Sequence, residues 1–483
     1  MRTKIICLFL LLTIVIHGQG RGDCKSPQTV HILAVNDMHA ALENMPRLAA
    51  IADSLRELYP SLLVLSAGDN RTGNPFNDMY KPSGYPMVAL MNQIGFNASV
   101  VGNHDFDMKS LPRTIGESNF RYLCANVGSG EARTDTMPPL RVLPYQVFDV
   151  EGVRVGIIGI IEVNPQKGHP DTHPDNITGL TFDAPLETVK RYEWLSHQCD
   201  ATILLSHDGY RNDTLTAHAC PWLDLIIGGH THKQLTGDGR INGTLITQNS
   251  NKLRRATHIT LTVDSGRVCD SKAEYIDVRK FKRENALVAA MVQFFSDNPD
   301  FQRVLAQAST PFEDIYEMGC MVCDAIMHGT GAEMALQNYR GVRKDFLPVG
   351  DITVKDVLTI DPFGNAAYVL TLTGEELFQL VKQYSRMEVA HFPHLGGLRA
   401  VVKLDKNDPQ KITSFDLRTA DGKRLNKKHI YHVATNAYVA AACRHYSITN
   451  IERLNRETAD MIMKFLEGQG TVSYQGVKRI EFR

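Results

Sequence analysis

Short apolar runs alternate with amphipathic stretches through the first half of the chain. Runs of five to nine residues, rich in Val, Ile and Leu, are typical of buried strands. They cover 29–35, 61–67, 98–102, 153–161, 201–206 and 223–229. Helical spacing of apolar residues predicts helices over 46–59 and 84–95. Because strands alternate with helices, the pattern predicts an α/β domain with a layered sheet core.

The pattern changes after about residue 303. A helix with charged flanks over 281–303 is predicted to link the two halves. Further helices are predicted over 318–331 and 373–385, and strands over 366–372, 397–405 and 429–439. This mixture favours a second, smaller α+β domain over 304–483.

The amino terminus predicts export. Residues Met1 to Lys4 are basic, and the twelve residues from Ile5 to Ile16 are apolar, too few to span a bilayer but typical of a signal-peptide core. We therefore predict a signal peptide over 1–20 and a periplasmic, cell-surface or extracellular location. The alternative is a short buried strand or helix. A lipid anchor at Cys24 stays open, although the Arg-Gly-Asp before it matches a lipobox poorly.

Length, charge and cysteine content narrow the choice of protein class. A chain of 483 residues is too long for one ordinary domain. A formal charge of -1 indicates neither a groove for a nucleic-acid polymer nor a polybasic membrane patch, and no later stretch suits a transmembrane helix. The nine cysteines are too dispersed for a disulfide scaffold. Cys199 and Cys220 could pair, whereas Cys320 and Cys323 are expected to pack as small apolar groups.

Polar residues follow the predicted strands of the first half. Asp37, His39, Asp69, Asn103, His207, His230 and His232 each come at or just after a strand end, often beside glycine. In open α/β sheets, ligands gather at the carboxyl ends of strands. In an extended segment, the residues of each Asp-x-His or His-x-His pair share one face. Seven N and O donors without a thiolate suit two divalent ions, with Zn, Mn, Fe and Co favoured and one carboxylate bridging.

Each of these motifs alone has a plainer interpretation, as a solvated histidine or a polar turn. Together and in order, they resemble the signature of the calcineurin-like metallophosphoesterase superfamily, over residues 28–265. The resemblance implies a four-layer αββα sandwich and a dinuclear centre. Asp37, His39, Asp69 and His232 would hold one ion, and Asp69, Asn103, His207 and His230 the other. It also implies that His104 and Asp107 form a catalytic pair, with His104 protonating the leaving oxygen.

The second half resembles the C-terminal domain of secreted 5'-nucleotidases, mainly through residues 336–377 and 431–440. On that resemblance, Arg343 contacts the nucleotide, Phe363 and Tyr438 stack on the base, and Asn365 contacts the base. Without it, the two aromatic residues would be taken as ordinary core. The chain departs from the family pattern at Tyr339-Arg340, at Gly319-Cys320 and at 441–446.

Together these features predict an exported hydrolase of nucleoside 5'-monophosphates that uses two divalent metal ions. The alternative is a 2',3'-cyclic nucleotide phosphodiesterase or a nucleotide-sugar or diphosphate hydrolase. A catalytically silent nucleotide-binding protein would be expected to lack a metal donor, and none of the seven is missing.

Overall fold

The first half of the chain forms two stacked six-stranded sheets, in a computed structural model that describes residues 27–129, 140–237, 239–443, 448 and 450–483. The predicted signal peptide and Cys24 lie outside these residues. The strands are β1 (Gln28–Val35), β2 (Leu63–Ser66), β3 (Ala98–Val100), β4 (Arg121–Leu123), β5 (Val127–Ser129), β6 (Tyr145–Val150), β7 (Val153–Ile161), β8 (Leu180–Phe182), β9 (Ala201–His207), β10 (Leu225–Gly228), β11 (Arg240–Ile241), β12 (Thr244–Thr247), β13 (Arg255–Asp264) and β14 (Arg267–Asp277). One sheet has the order β14-β13-β1-β2-β3-β4 and the other β11-β12-β10-β9-β7-β6, while β5 pairs with β8.

Helices cover the outer face of each sheet. They are α1 (Met45–Leu58), α2 (Pro75–Asp78), α3 (Tyr85–Ile94) and α4 (Leu111–Glu117) on one side, and α5 (Pro185–Lys190) and α6 (Tyr210–Ala219) on the other. On β1, Ile32 packs between the sheets, whereas Leu33 packs under the first group of helices. On β9, Leu205 packs between the sheets and Leu204 faces the second group. This period of two confirms the predicted four-layer αββα sandwich.

The first domain extends beyond residue 265. Strand β14 pairs antiparallel with β13 and continues the sheet to Asp277, so the predicted limit falls in the turn of a hairpin. The connecting helix, α7 (Ala286–Ser296), is shorter than the predicted 281–303. It begins there because the Asn285 side chain accepts the N–H of Val288, which caps the helix.

The second domain mixes helices with three small sheets, as predicted for an α+β unit. Its strands are β15 (Val304–Ala308), β16 (Met334–Gln337), β17 (Gly350–Thr353), β18 (Ala366–Thr373), β19 (His394–Gly396), β20 (Leu398–Leu404), β21 (Ile412–Thr419), β22 (Ile430–Asn436), β23 (Ile451–Glu457), β24 (Thr471–Val472) and β25 (Ile480–Phe482). Its helices are α8 (Ile315–Thr330), α9 (Val354–Ile360), α10 (Gly374–Tyr384), α11 (Ala437–Cys443) and α12 (Thr458–Gln469). The sheet orders are β17-β15-β24, β19-β16-β22-β18-β23 and β21-β20-β25.

Two local predictions are corrected. The strand predicted over 429–439 ends at Asn436, because the Asn436 side chain accepts the N–H of Val439 at 2.9 Å and starts α11. Tyr438 therefore lies on a helix. Cys199 and Cys220 are separate thiols rather than a disulfide, whereas Cys320 and Cys323 are buried in α8. Among the described residues, no helix combines the length and the apolar character needed to cross a membrane.

Gly319 explains two departures from the 5'-nucleotidase pattern at once. It lies within α8, and a Cβ on it would come 2.1 Å from Nδ1 of the buried His394. The His394 ring in turn stacks on Tyr339, with centroids 5.5 Å apart. The missing side chain at residue 319 thus makes room for the histidine that supports the Tyr339 ring.

We expect Gly319→Ala to destabilise the protein by roughly 1–3 kcal/mol, because His394 cannot move without disturbing Tyr339. Gly468 provides a matched control in α12, since a Cβ there meets no atom within 4 Å. Gly468→Ala should be neutral or stabilising by up to about 1 kcal/mol. Thermal and urea unfolding of the full chain measure both effects. Equal stability of the two variants would contradict the packing at residue 319.

Candidate metal and phosphoester site

The carboxyl ends of strands from both sheets meet at one edge of the sandwich. Strands β1, β2 and β3 run parallel in one sheet, and β7, β9 and β10 run parallel in the other. The polar residues at or after these strand ends therefore converge. Asp37, His39, Asp69, Asn103 and His207 are almost fully buried, and His230 and His232 are partly exposed.

The backbone reaches this edge in an unusual conformation. Five of the seven predicted donors have a positive φ, namely Asp37 (49°), His39 (45°), Asp69 (51°), His230 (72°) and His232 (54°). The pairs Asp37/His39 and His230/His232 were expected to lie in extended segments, and this expectation is wrong. Non-glycine residues in this region cost about 1–3 kcal/mol each, and such strain clusters at functional sites. Tight left-handed turns, rather than strand alternation, aim these side chains.

Glycines allow the loops to approach one another. A Cβ on Gly102 would come 2.2 Å from Asp69 Oδ1, and one on Gly229 would come 2.9 Å from His207 Nδ1. These contacts account for the glycines beside the polar residues in the sequence. A side chain at either position would displace a predicted donor.

Asp37, His39 and His232 form one group of donors. His39 Nε2 lies 3.1 Å from His232 Nε2, which lies 3.3 Å from Asp37 Oδ1. The backbone N–H of His230 donates to both Asp37 oxygens at 3.1 Å, which fixes the carboxylate.

Asp69, Asn103, His207 and His230 form the adjoining group. Asp69 Oδ2 lies 3.2 Å from His207 Nε2 and 3.9 Å from His39 Nε2, so this carboxylate lies between the groups. Asn103 Oδ1 lies 3.2 Å from His207 Nε2 and 3.0 Å from His230 Nδ1.

The donor chemistry fits divalent cations. His39 Nδ1 and His207 Nδ1 face the carbonyl oxygens of Thr72 and Ala67 at 3.1 and 2.7 Å, so both Nδ1 atoms carry the proton. In the neutral rings, each Nε2 lone pair then points at other electron-rich atoms. Bonds of about 2.0–2.1 Å to one ion place neighbouring donors roughly 3.0–3.4 Å apart, close to most of the separations above. A cation between these atoms would balance lone pairs and carboxylate charge that can otherwise be balanced only by a proton.

Electrostatics between the groups are strong. Burial disfavours a charge on His207, but Asp69 outweighs it and raises the pKa of His207 to about 10. His230 is instead held neutral, since burial and the nearby His207 lower its pKa to about 4. A bound cation would replace the proton on His207, because metal-ligating imidazole is neutral.

His104 and Asp107 adjoin the donor groups without belonging to them. His104 Nδ1 donates to Asp107 Oδ2 at 2.8 Å, and its backbone N–H donates to Asp69 Oδ1 at 2.8 Å. Burial lowers the pKa of His104, but Asp69 and Asp107 outweigh it and raise the pKa overall. Asp105 accepts the N–H groups of Gly102 and Asp69, which positions the loop. The His104 ring is therefore oriented with Nε2 free of Asp107.

The second domain brings two of its predicted residues to His104. The Phe363 ring stacks on the His104 ring with centroids 6.0 Å apart, and Arg343 Cζ lies 5.7 Å from the Phe363 centroid. Tyr438 lies instead against Lys167 of the first domain, 3.3 Å from Oη to Nζ. The backbone carbonyl of Asn365 accepts the N–H of Thr458. Contacts of these four residues with a base remain predictions.

Sequence reasoning missed a third acidic group at this edge. Glu162, Asp171 and His230 each place a possible ligand atom within 4.8 Å of the others, and Lys167 binds Asp171 at 2.8 Å. Glu162 directly follows β7, so the strand-end rule that found the other residues could have found it too. Asp171 lies in a loop that no strand end marks.

Comparisons with known proteins agree with this geometry. Residues 30–234 match the family described as calcineurin-like phosphoesterase, and 295–450 match the 5'-nucleotidase C-terminal domain. A 5'-nucleotidase of Diplobatis ommata is 24% identical over 90% of this chain and 85% of its own length. A trifunctional nucleotide phosphoesterase of Bacillus subtilis is 24% identical over 86% of this chain, which spans 32% of that protein.

Solved structures share the fold. A 5'-nucleotidase precursor from Thermus thermophilus superposes with a TM-score of 0.80 at 23% identity, covering 94% of this chain and 99% of that one. Calcineurin-like phosphoesterases use dinuclear divalent metals, and this chain has the matching groups of donors. The chain belongs to the metallophosphoesterases that join a calcineurin-like domain to a 5'-nucleotidase C-terminal domain, and it is a phosphoric ester hydrolase.

Proposed function

We propose that the protein hydrolyses nucleoside 5'-monophosphates to nucleoside and phosphate. The observation that carries this proposal is the stacking of Phe363, from the second domain, on His104 beside the donor groups. A phosphate at the donors then has its ester oxygen near His104 and its nucleoside near the second domain. Stacking on an aromatic ring contributes ~1–3 kcal/mol per base in single-strand binders.

The proposed roles follow from the contacts. Asp37, His39, Asp69 and His232 hold one divalent ion, and Asp69, Asn103, His207 and His230 hold the second. When bound, such ions lower the pKa of a coordinated water and neutralise phosphate charge. Asp107 holds the Nδ1–H of His104, which leaves Nε2–H to donate to the leaving oxygen. Arg343, partly buried beside Phe363, supplies a positive charge for the phosphate.

Arg340 favours a second candidate, hydrolysis of nucleotide sugars or other nucleotides with a diphosphate. The Arg340 side chain is exposed. Burial of Arg343 lowers the pKa of Arg343, and the positive charge of Arg340 also lowers it. A second cation near the partly buried Arg343 suits a substrate with a further phosphate. Relatives include the trifunctional nucleotide phosphoesterase, and the fold recurs in an NAD nucleotidase of Haemophilus influenzae with a TM-score of 0.54.

We also propose export, on the basis of the basic start and the apolar run from Ile5 to Ile16. The substrate would then be an extracytoplasmic nucleotide. Mass spectrometry of protein secreted or exported by the native cell would show a mature amino terminus near residue 20 if the signal is cleaved.

A substrate panel decides between the two candidate activities. Purified protein loaded with Mn²⁺ or Zn²⁺ is given adenosine 5'-monophosphate, 2',3'-cyclic AMP and a nucleotide sugar, and the products are separated by chromatography. We expect the highest kcat/KM on the monophosphate, with nucleoside and phosphate released together. Turnover of the cyclic or diphosphate substrate without any of the monophosphate would reverse the ranking.

His104→Asn separates acid catalysis from metal binding. We expect kcat to fall by ~10²–10⁴-fold while the metal content stays that of the parent, because His104 hydrogen-bonds the donor groups through its backbone N–H and its ring meets His39 only edge-on, with centroids 5.3 Å apart. Steady-state kinetics and elemental analysis of the same preparation measure both quantities. Unchanged turnover would remove His104 from the mechanism.

A further inference from the structure

Lys167 of the first domain bridges the two domains beside the donor groups. Its Nζ donates to Asp171 Oδ1 at 2.8 Å and to Tyr438 Oη at 3.3 Å, and it lies 5.0 Å from the centroid of the Tyr438 ring. The Lys167 side chain is 17% exposed. A largely buried ammonium is costly unless it is paired and hydrogen-bonded, and these two partners satisfy that need.

Asp171 in turn orients the predicted metal donor Asn103. The amide nitrogen of Asn103 donates to the backbone carbonyl of Asp171 at 3.1 Å. This bond fixes which end of the amide faces the histidines. Asn103 Oδ1 consequently points toward the nitrogen atoms of His207 and His230, with which it would share a metal ion.

The loop that carries Asp171 depends on the same lysine. Its carboxylate is held at Oδ1 by Lys167 and by the Asn164 amide, each at 2.8 Å. Lys167 and Asp171 therefore form a largely buried ion pair, and loss of the ammonium would leave this carboxylate without its charged partner.

Tyr438 completes the connection from the other domain. It lies in the first turn of α11, directly after β22 of the central sheet of the second domain. Burial and the neighbouring Asp171 raise the pKa of the phenol, so it stays neutral and accepts from Lys167. Tyr438 is one of the two aromatic residues that the resemblance to 5'-nucleotidases predicts to stack on the base.

We propose that Lys167 is a positioning residue that couples Tyr438 in the substrate domain to Asn103 in the metal centre. Docking of the second domain then fixes the loop at Asp171, and with it the direction of the Asn103 amide. The inference rests on the proposed role of Asn103 as a metal ligand. It adds a link between nucleotide binding and metal retention that runs through the chain Tyr438–Lys167–Asp171–Asn103.

The first test measures affinity for Mn²⁺ alone, by competition with a chromogenic chelator and without substrate. Lys167→Met should weaken binding of the more weakly held ion by ~10-fold, as expected for loss of a residue that orients a ligand. Lys167→Arg should restore affinity to within about threefold, because it keeps the charge at Asp171. Lys190→Met is the matched control, since Lys190 pairs with Glu187 on the surface of α5.

The second test is a double-mutant cycle on KM for adenosine 5'-monophosphate. Lys167→Met and Tyr438→Phe should each raise KM by roughly 3–10-fold, and the double variant should be no worse than the larger single effect. If the KM of the double variant rises by the product of the two single increases, the two residues act independently and the proposed coupling is overturned. The coupling would also be overturned if a folded Lys167→Met variant bound Mn²⁺ with an affinity within twofold of that of the parent. Failure of the parent chain itself to bind Mn²⁺ would instead refute the proposed metal centre, and this inference with it.

Discussion

The site depends on a set of buried donors whose carboxylate charge and lone pairs must be balanced, either by a proton on His207 or by cations between the donors. Asp69 is 1% exposed and faces the Nε2 atoms of His39 and His207, whose Nδ1 protons are committed to backbone carbonyls. Once His207 gives up its Nε2 proton, as a metal ligand must, both imidazoles point lone pairs at this carboxylate. The chain can adopt the arrangement because the stacked sheets hold the loops in place. The left-handed residues at the site indicate that the sandwich tolerates considerable strain there.

The sequence pattern was sufficient to predict an α/β domain with a layered sheet core and polar residues at its strand ends, whereas the four-layer αββα order was implied by the resemblance to calcineurin-like metallophosphoesterases. Short continuous apolar runs define buried strands, and parallel strands deliver the residues that follow them to the same edge. This strand-end rule also explains why Glu162 belongs at this edge, directly after β7. It carries no information on the path of the loop beyond each strand.

The features that the sequence did not predict depend on the local path of the loops and on contacts between residues that are distant in sequence. The positive φ of Asp37 and His39 comes from tight packing against the next loop, where the N–H of His39 donates to the carbonyl of Asp69. The break between β22 and α11 depends on one side-chain cap at Asn436. Tyr339 stands where the family pattern has a small glycine. Its ring stacks on His394, which fits because Gly319 has no side chain, and both of these residues are distant from Tyr339 in sequence.

The two domains divide the chemistry between them. The first domain holds the predicted metal donors and His104, the proposed acid, and the second places Phe363 against His104 with Arg343 beside the Phe363 ring. Anomalous diffraction from crystals of the full chain grown with Mn²⁺ would show directly whether two ions bind at Asp69. We expect two peaks roughly 3.5–4 Å apart, with the Asp69 carboxylate between them. A single peak, or peaks away from Asp69, would contradict this expectation.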